Sequence, residues 1–195
     1  VRRQRQMCIR DRQDYKKRSV KEYRKEVKEA VESAGIDYIE GTATIRRGRT
    51  VEVNSPSGKD YYEADHIIIA TGAKPVIPDI PGAMLPGVLT SDRLLASDTW
   101  NYDRLTIIGG GVIGVEFATI FSELGAKVTL VEQQERLLAK QDELISGALK
   151  ESLEAKGVEV LCGAVVESIS REEKLAANIR MAGQWRQVVS DAILI

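Results

Sequence analysis

Cysteine is nearly absent from this chain of 195 residues. Only Cys8 and Cys162 occur, most of the chain apart and in no spaced motif, so neither a disulfide framework nor a zinc site is supported. Cys162 reads as a small buried hydrophobe near a strand end. The single histidine, His66, sits where a strand begins and reads as structural. No apolar run approaches the roughly 20 residues of a bilayer-spanning helix. The N-terminus is basic but has no apolar core behind it, as a secretory signal would. Neither sign of charge is in excess: 28 Lys and Arg against 29 Asp and Glu leave a net charge of -1, which supplies no general attraction for nucleic acid or acidic membranes. These absences point to a cytoplasmic protein with no nucleic-acid or membrane partner. What is present is ordinary for a globular chain. Hydrophobic residues make up 43% and charged residues 29%, and the length suits one large or two small domains with a real core.

The opening twelve residues, VRRQRQMCIRDR, have no apolar periodicity and no capping signal. Back-translated, Arg2 to Arg12 match one open frame of an adapter used in transposon-based sequencing libraries. Residues 1–12 are therefore expected to be foreign to the fold. The natural chain is expected to begin upstream, and Asp191–Ile195 reads as a strand with no turn after it.

From about Asp14 to Ser33 the chain is rich in Lys, Glu, Arg and Ala. Val20, Tyr23, Val27 and Val31 recur at helical spacing, which predicts an amphipathic helix ending at Ala34-Gly35. The segments 37–40, 43–45 and 50–53 alternate and are β-rich, with Gly48 and 55–58 as turns; they predict a small antiparallel meander. Residues 66–70 (His-Ile-Ile-Ile-Ala) predict a buried strand closed by Thr71-Gly72. Residues 74–87 hold four of the five prolines and read as a connector between two bodies of structure.

Beyond Trp100 strands and helices alternate: strand 105–108, helix 112–124, strand 127–132, helix 142–156 and strand 158–161. That order means a parallel sheet with crossover helices, an α/β Rossmann-like βαβαβ unit. Further strands at 165–169, 178–181, 185–189 and 191–195 add an antiparallel meander. The domain assignment is 13–95 for the end of one domain with its connector and 96–195 for the Rossmann-like domain.

Gly109-Gly110-Gly111-Val112-Ile113-Gly114 is G-x-G-x-x-G placed between a strand and a helix. Gly109 allows the tight turn, Gly111 lets backbone approach a pyrophosphate, and Gly114 lets the helix pack on the sheet. The helix N-terminus offers free N–H groups to the phosphates. Glu132, 23 residues after Gly109 at the end of the next strand, has the position of a carboxylate that accepts both ribose hydroxyls and repels a 2′-phosphate. NAD(H) is expected over NADP(H), with Arg136 leaving the alternative open. Glu116, after Val115, is placed in the first turn of the helix, where an acid complements the dipole.

These residues resemble the pyridine nucleotide–disulfide oxidoreductase family of flavoproteins, most nearly its dihydrolipoyl dehydrogenase type. Three ordered matches carry the resemblance: Ile68-Ile-Ala-Thr-Gly-Ala-Lys-Pro75, Ile107-Ile-Gly-Gly-Gly-Val-Ile-Gly-Val-Glu-Phe-Ala118, and Val128-Thr-Leu-Val-Glu132 with Glu135-Arg-Leu-Leu138. The resemblance implies a FAD domain interrupted by an NAD domain. It places Thr71, Gly72 and Ala73 beside FAD, and Ala43, in a Gly41-Thr-Ala43 turn, near the flavin's adenosine. It assigns Gly109 to Val115 to the NAD loop, Glu116 to the nicotinamide side, Glu132 to the ribose and Val166 to the adenine. It further implies electron transfer between NAD, FAD and a small-molecule or lipoyl-type dithiol, in a homodimer. The family's upstream FAD glycine motif, its C-x4-C redox pair and its C-terminal dimerisation domain with a His-Glu pair are not found here, so no catalytic residue is assigned. The alternatives are another member (a mercuric or glutathione-type reductase, an NADH oxidase or a transhydrogenase) or a non-catalytic NAD(H)-binding sensor module.

Overall fold

The computed structural model describes the backbone of residues 2–195 and the side chains of residues 11–195. Cys8 lies outside the described side chains. The chain divides into two compact units: residues 14–74, and residues 75–195 together with the start of the first helix.

That helix, α1 (Arg2–Ser33), is longer than expected and runs through the adapter-like segment. Arg, Gln and Met are good helix formers, and extending an existing helix avoids the cost of a new nucleus. The apolar stripe of the amphipathic pattern is left largely open: Val20, Tyr23 and Val27 are exposed, as are most of the helix's described side chains. The meander is present but shifted by one strand. It consists of β1 (Thr42–Ile45), β2 (Thr50–Ser55) and β3 (Gly58–Glu63), antiparallel in that order. Residues 37–40 form no strand. The third strand is instead the polar stretch Lys59-Asp-Tyr-Tyr-Glu63, which a tight turn at 55–58 folds back onto β2. Glu52 lies between Lys59 and Arg46, at 3.1 and 2.9 Å; their hydrogen bonds hold its carboxyl below the usual range, Lys59 foremost, against the upward push of burial.

The predicted buried strand at 66–70 is absent. These residues are irregular, and Ile68 is 90% exposed. An all-apolar strand is stable only when paired on its edges and covered on its faces, and no strand among the described residues pairs with it.

In the second unit β4 (Val88–Leu89), α2 (Ser91–Ala96), β5 (Arg104–Ile108), α3 (Val112–Glu123), β6 (Lys127–Glu132), α4 (Glu143–Ala155), β7 (Glu159–Cys162), β8 (Ala164–Arg171), β9 (Leu175–Met181), β10 (Gln184–Ser190) and β11 (Ala192–Leu194) follow in order. The parallel sheet runs β4-β11-β5-β6-β7, and β10-β9-β8 form a separate antiparallel sheet. This is the α/β architecture expected. The two-residue β4 and the short α2 were not anticipated; both come from the proline-rich connector and the stretch after it, which belong to this unit.

The sheet's inner faces are apolar. Leu105, Ile107, Val128 and Leu130 pack with Phe117, Ala118 and Phe121 of α3 and Leu153 of α4. Phe121 is fully buried and meets the rings of Trp100 and Tyr102 at 5.5 and 6.0 Å between centroids. The opposite face packs Val131, Leu161 and Ile193 against Val166, Ile169 and Ile179 of the meander. Helix α4 is capped by the Asp142 side chain, which accepts from Leu144 N–H. Both α3 and α4 stop with a reach-back bond, Ala126 N–H to Phe121 O and Val158 N–H to Leu153 O.

The head of the sheet is tied by Asp191, whose Oδ2 accepts from the N–H groups of Asp103 and Arg104 while Lys174 bonds Oδ1. Burial pushes this carboxyl up, but the Lys174 ammonium and the two N–H groups outweigh it and hold it below the usual range. Among the described residues no helix is long and apolar enough to cross a membrane.

Candidate functional site

Strand β5 lies at the point where the chain's winding reverses. From it β6 and β7 build one side of the sheet, and β11 and β4 fill the other. In open parallel sheets the crevice at the carboxyl ends of such strands is where ligands bind. The glycine loop occupies that crevice.

Gly109 has φ +110°, a conformation that side chains rarely adopt, and turns the chain sharply out of β5. At Gly111 the space a Cβ would fill is open, and no side chain caps the start of α3. The N–H groups of the first turn are thus left for an external acceptor. A Cβ on Gly114 would lie 2.0 Å from the Gly109 carbonyl oxygen; the bare glycine lets the helix sit on the turn. Val112 and Ile113 are 58% and 55% exposed, an unusual placement for apolar side chains at the mouth of a crevice.

Gly110 has a role beyond that of a spacer. Its N–H donates to Glu132 Oε2 at 2.6 Å, and its carbonyl accepts from Leu138 N–H at 2.9 Å. Glu132 Oε1 accepts from Gln134 N–H at 2.7 Å. The carboxylate at the end of β6 is therefore held rigidly against the glycine loop, with lone pairs left over for two further donors. Leu138 has φ +47°, a left-handed conformation that carries its N–H to Gly110.

Two cavities flank the loop within this unit. One, of about 390 Å³, is lined by residues 107–109 and 111–114, Leu194, Ile195, Ser91 and Pro75, at the ends of β5 and β11. The other, of about 610 Å³, is lined by Ile108, Gly109, Val131, Glu132, Gln133, residues 78–81 and residues 164–167. Val166 is buried in its wall. A β-bulge at Glu167, where the pairing of β8 with β9 slips, breaks the strict alternation and lets Val165, Val166 and Glu167 all border it. Pro81 O accepts from Ile169 N–H at 2.7 Å, and Gly82 lies so close to Ile169 O that a Cβ there would be 1.9 Å away. The connector is thereby laid against β8 as a wall.

The expected residues divide accordingly. Gly109 to Gly114, Glu132 and Val166 come together at the crevice, with Val115 buried behind the loop. Glu116 is corrected in position: α3 begins at Val112, so Glu116 opens the second turn, is exposed and lines neither cavity. Dipole stabilisation fades beyond the first turn. Ala43 does not sit in a turn; it lies in β1, paired with Val53. Ala43, Thr71, Gly72 and Ala73 belong to the 14–74 unit and are exposed there.

Arg136 turns away from the larger cavity, bonding Ala139 O at 3.1 Å and facing Glu143 at 3.8 Å. Cys162, beside Glu132 in the β6–β7 register, has its thiol pushed up, burial being the main cause, so it stays protonated at neutral pH. The connector wall at 78–81 was missed in the sequence, where its prolines signalled only a linker.

A glycine turn, an open helix N-terminus and a fixed carboxylate between two cavities define a dinucleotide-binding domain of the Rossmann kind. The chain belongs to the pyridine nucleotide-disulphide oxidoreductase family, whose model matches residues 3–195. It is 36% identical over 161 residues to the probable pyridine nucleotide-disulfide oxidoreductase RclA of Escherichia coli, covering 82% of this chain and 36% of the relative. It is also 36% identical over 165 residues to a dihydrolipoyl dehydrogenase of Acholeplasma laidlawii (83% and 47%) and 33% identical over 166 residues to a mercuric reductase of Bacillus cereus (85% and 26%). The solved structure of E. coli RclA as a Cu(II) complex aligns with a TM-score of 0.71 over 82% of this chain and 36% of that one. The chain thus spans between about a quarter and a half of the length of these relatives. Members of the family use FAD and a pyridine nucleotide.

Proposed function

We propose that residues 75–195 hold NAD(H) for a flavoprotein oxidoreductase, and that residues 14–74 contribute to its FAD site. The observation that carries the reading is the Glu132 carboxylate, pinned by Gly110 and Gln134 N–H at the rim of the larger cavity. In this reading the adenosine lies in that cavity between Val166 and the 78–81 wall. Its ribose hydroxyls donate to Glu132, the pyrophosphate meets the open N-terminus of α3, and the nicotinamide half enters the smaller cavity. Glu116, which lines neither cavity, is assigned to the nicotinamide side by the family resemblance alone. In the other unit the exposed backbone of Thr71, Gly72 and Ala73, with Ala43, meets the flavin.

The bound cofactors supply the electron-transfer chemistry, and the chain's own residues bind, orient and exclude water. The whole protein is read as a cytoplasmic homodimer of the dihydrolipoyl dehydrogenase type, exchanging electrons between a small-molecule or lipoyl-type dithiol and NAD. The similarity to a dihydrolipoyl dehydrogenase supports this choice. Titration of the purified chain with NADH and with NADPH, followed by nucleotide fluorescence, tests the cofactor assignment. NADH is expected to bind more tightly, and Glu132→Arg to reverse the order. Tighter binding of NADPH to the unaltered chain overturns it.

A further inference from the structure

The larger cavity carries more negative charge than a single ribose carboxylate requires. Asp79, Glu132 and Glu167 all line it, and no lysine, arginine or histidine does. The three acids are not equivalent. Glu167 is neutralised by Arg180, at 2.6 Å. Glu132 is committed to two backbone N–H groups. The Asp79 carboxylate is exposed, has no hydrogen bond or ion pair among the described residues, and belongs to the connector wall that lines the cavity. Nothing in the fold of this segment requires an acid there. The wall is held by prolines, by the Pro81–Ile169 bond and by the close seat of Gly82.

We propose that Asp79 is a second discriminating carboxylate: with Glu132 it selects a nucleotide whose adenosine ribose bears free hydroxyls and rejects one bearing a 2′-phosphate. The inference rests on the reading that adenosine occupies this cavity. The two acids act differently. Glu132 offers acceptors to the hydroxyls at contact range. Asp79 acts through its field and forms no bond. The pyrophosphate is common to both nucleotides, so repulsion from Asp79 weakens both. The 2′-phosphate adds nearly two further charges on the side of the cavity the acids face, and the excess repulsion falls on NADPH alone. The ratio of the two affinities therefore isolates Asp79's contribution. Two unit charges against one at about 9–12 Å in water correspond to about a three- to fivefold effect, vanishing as added salt shortens the screening length.

The test is fluorescence titration of the full chain and its Asp79→Asn variant with NADH and NADPH, at low salt and at high salt. The expected result is that the variant binds both nucleotides more tightly but NADPH disproportionately. The preference for NADH should fall about three- to fivefold at low salt and converge with that of the unaltered chain at high salt. If the unaltered chain prefers NADH and the variant's preference is unchanged, Asp79 plays no such part while the NAD(H) reading stands. A changed preference that is insensitive to salt also overturns the proposal, because it reports altered packing of the wall. An unaltered chain that binds neither nucleotide, or that favours NADPH, removes the underlying reading and the proposal with it.

Discussion

At the scale of single residues, the glycines of the loop carry unequal burdens. Gly114 is fixed by contact: its missing Cβ is what permits the helix to rest on the Gly109 carbonyl, 2.0 Å from where that atom would be. Gly114→Ala is expected to lift α3 off the turn, costing about 1–3 kcal/mol of stability, and to weaken NADH binding more than tenfold as the first-turn N–H groups move; paired thermal melts and nucleotide titrations read both. Glu132 is limited by its donors. Each of its oxygens already accepts a backbone N–H, and an amide offers one oxygen where the carboxylate offers two. Glu132→Gln should leave one of those N–H groups facing an NH2, at a cost in stability, and reduce NADH affinity by about tenfold because a ribose hydroxyl loses its charged acceptor. That these residues matter was legible in the sequence. That Gly110 and Glu132 are bonded to each other was not, because the partners are 22 positions apart and meet only when β5 and β6 pair.

Among the elements, the alternating stretch from β5 to β7 was readable because its signals are local. Apolar strands and helix-forming segments declare themselves within a few residues of one another. Helix α4 offers a direct check. Removing its cap with Asp142→Ala should cost about 1 kcal/mol, seen as a modest loss in thermal or urea stability with nucleotide binding retained. The failures have a common cause. Strand β3 is polar, Lys59-Asp-Tyr-Tyr-Glu63, and becomes a strand because the turn at 55–58 delivers it to β2. The run at 66–70 has every local mark of a buried strand, yet it remains irregular where no described strand pairs with it. The connector at 74–87 looks like a linker because prolines terminate regular structure, whereas its irregular backbone forms a wall by docking on β8. Gly82→Ala, which would place a Cβ 1.9 Å from Ile169 O at φ +90°, is expected to detach that wall, lowering stability by about 1–3 kcal/mol or more.

For the whole unit of residues 75–195, the ends of the α/β sheet must be held in register although they come from distant parts of the sequence. Asp191 does this by joining the heads of β5 and β11. Its folded-state carboxyl lies below the usual range. The stabilisation is therefore present above the ordinary aspartate value and is lost as pH falls through the lower folded value. Thermal melts in a descending pH series should show the unaltered chain losing stability in that acidic window, with a smaller loss in Asp191→Asn; identical profiles would remove Asp191 from that role. Strand–helix alternation and motif spacing are short-range properties of the chain, so the α/β class, the glycine loop, the acid at the end of β6 and the kinship with flavoprotein oxidoreductases were legible in its sequence. Which groups latch Glu132, which way Arg136 turns, and how a proline-rich connector walls the larger cavity and brings Asp79 to it emerge from packing, since each depends on segments that are remote in sequence and adjacent in the fold.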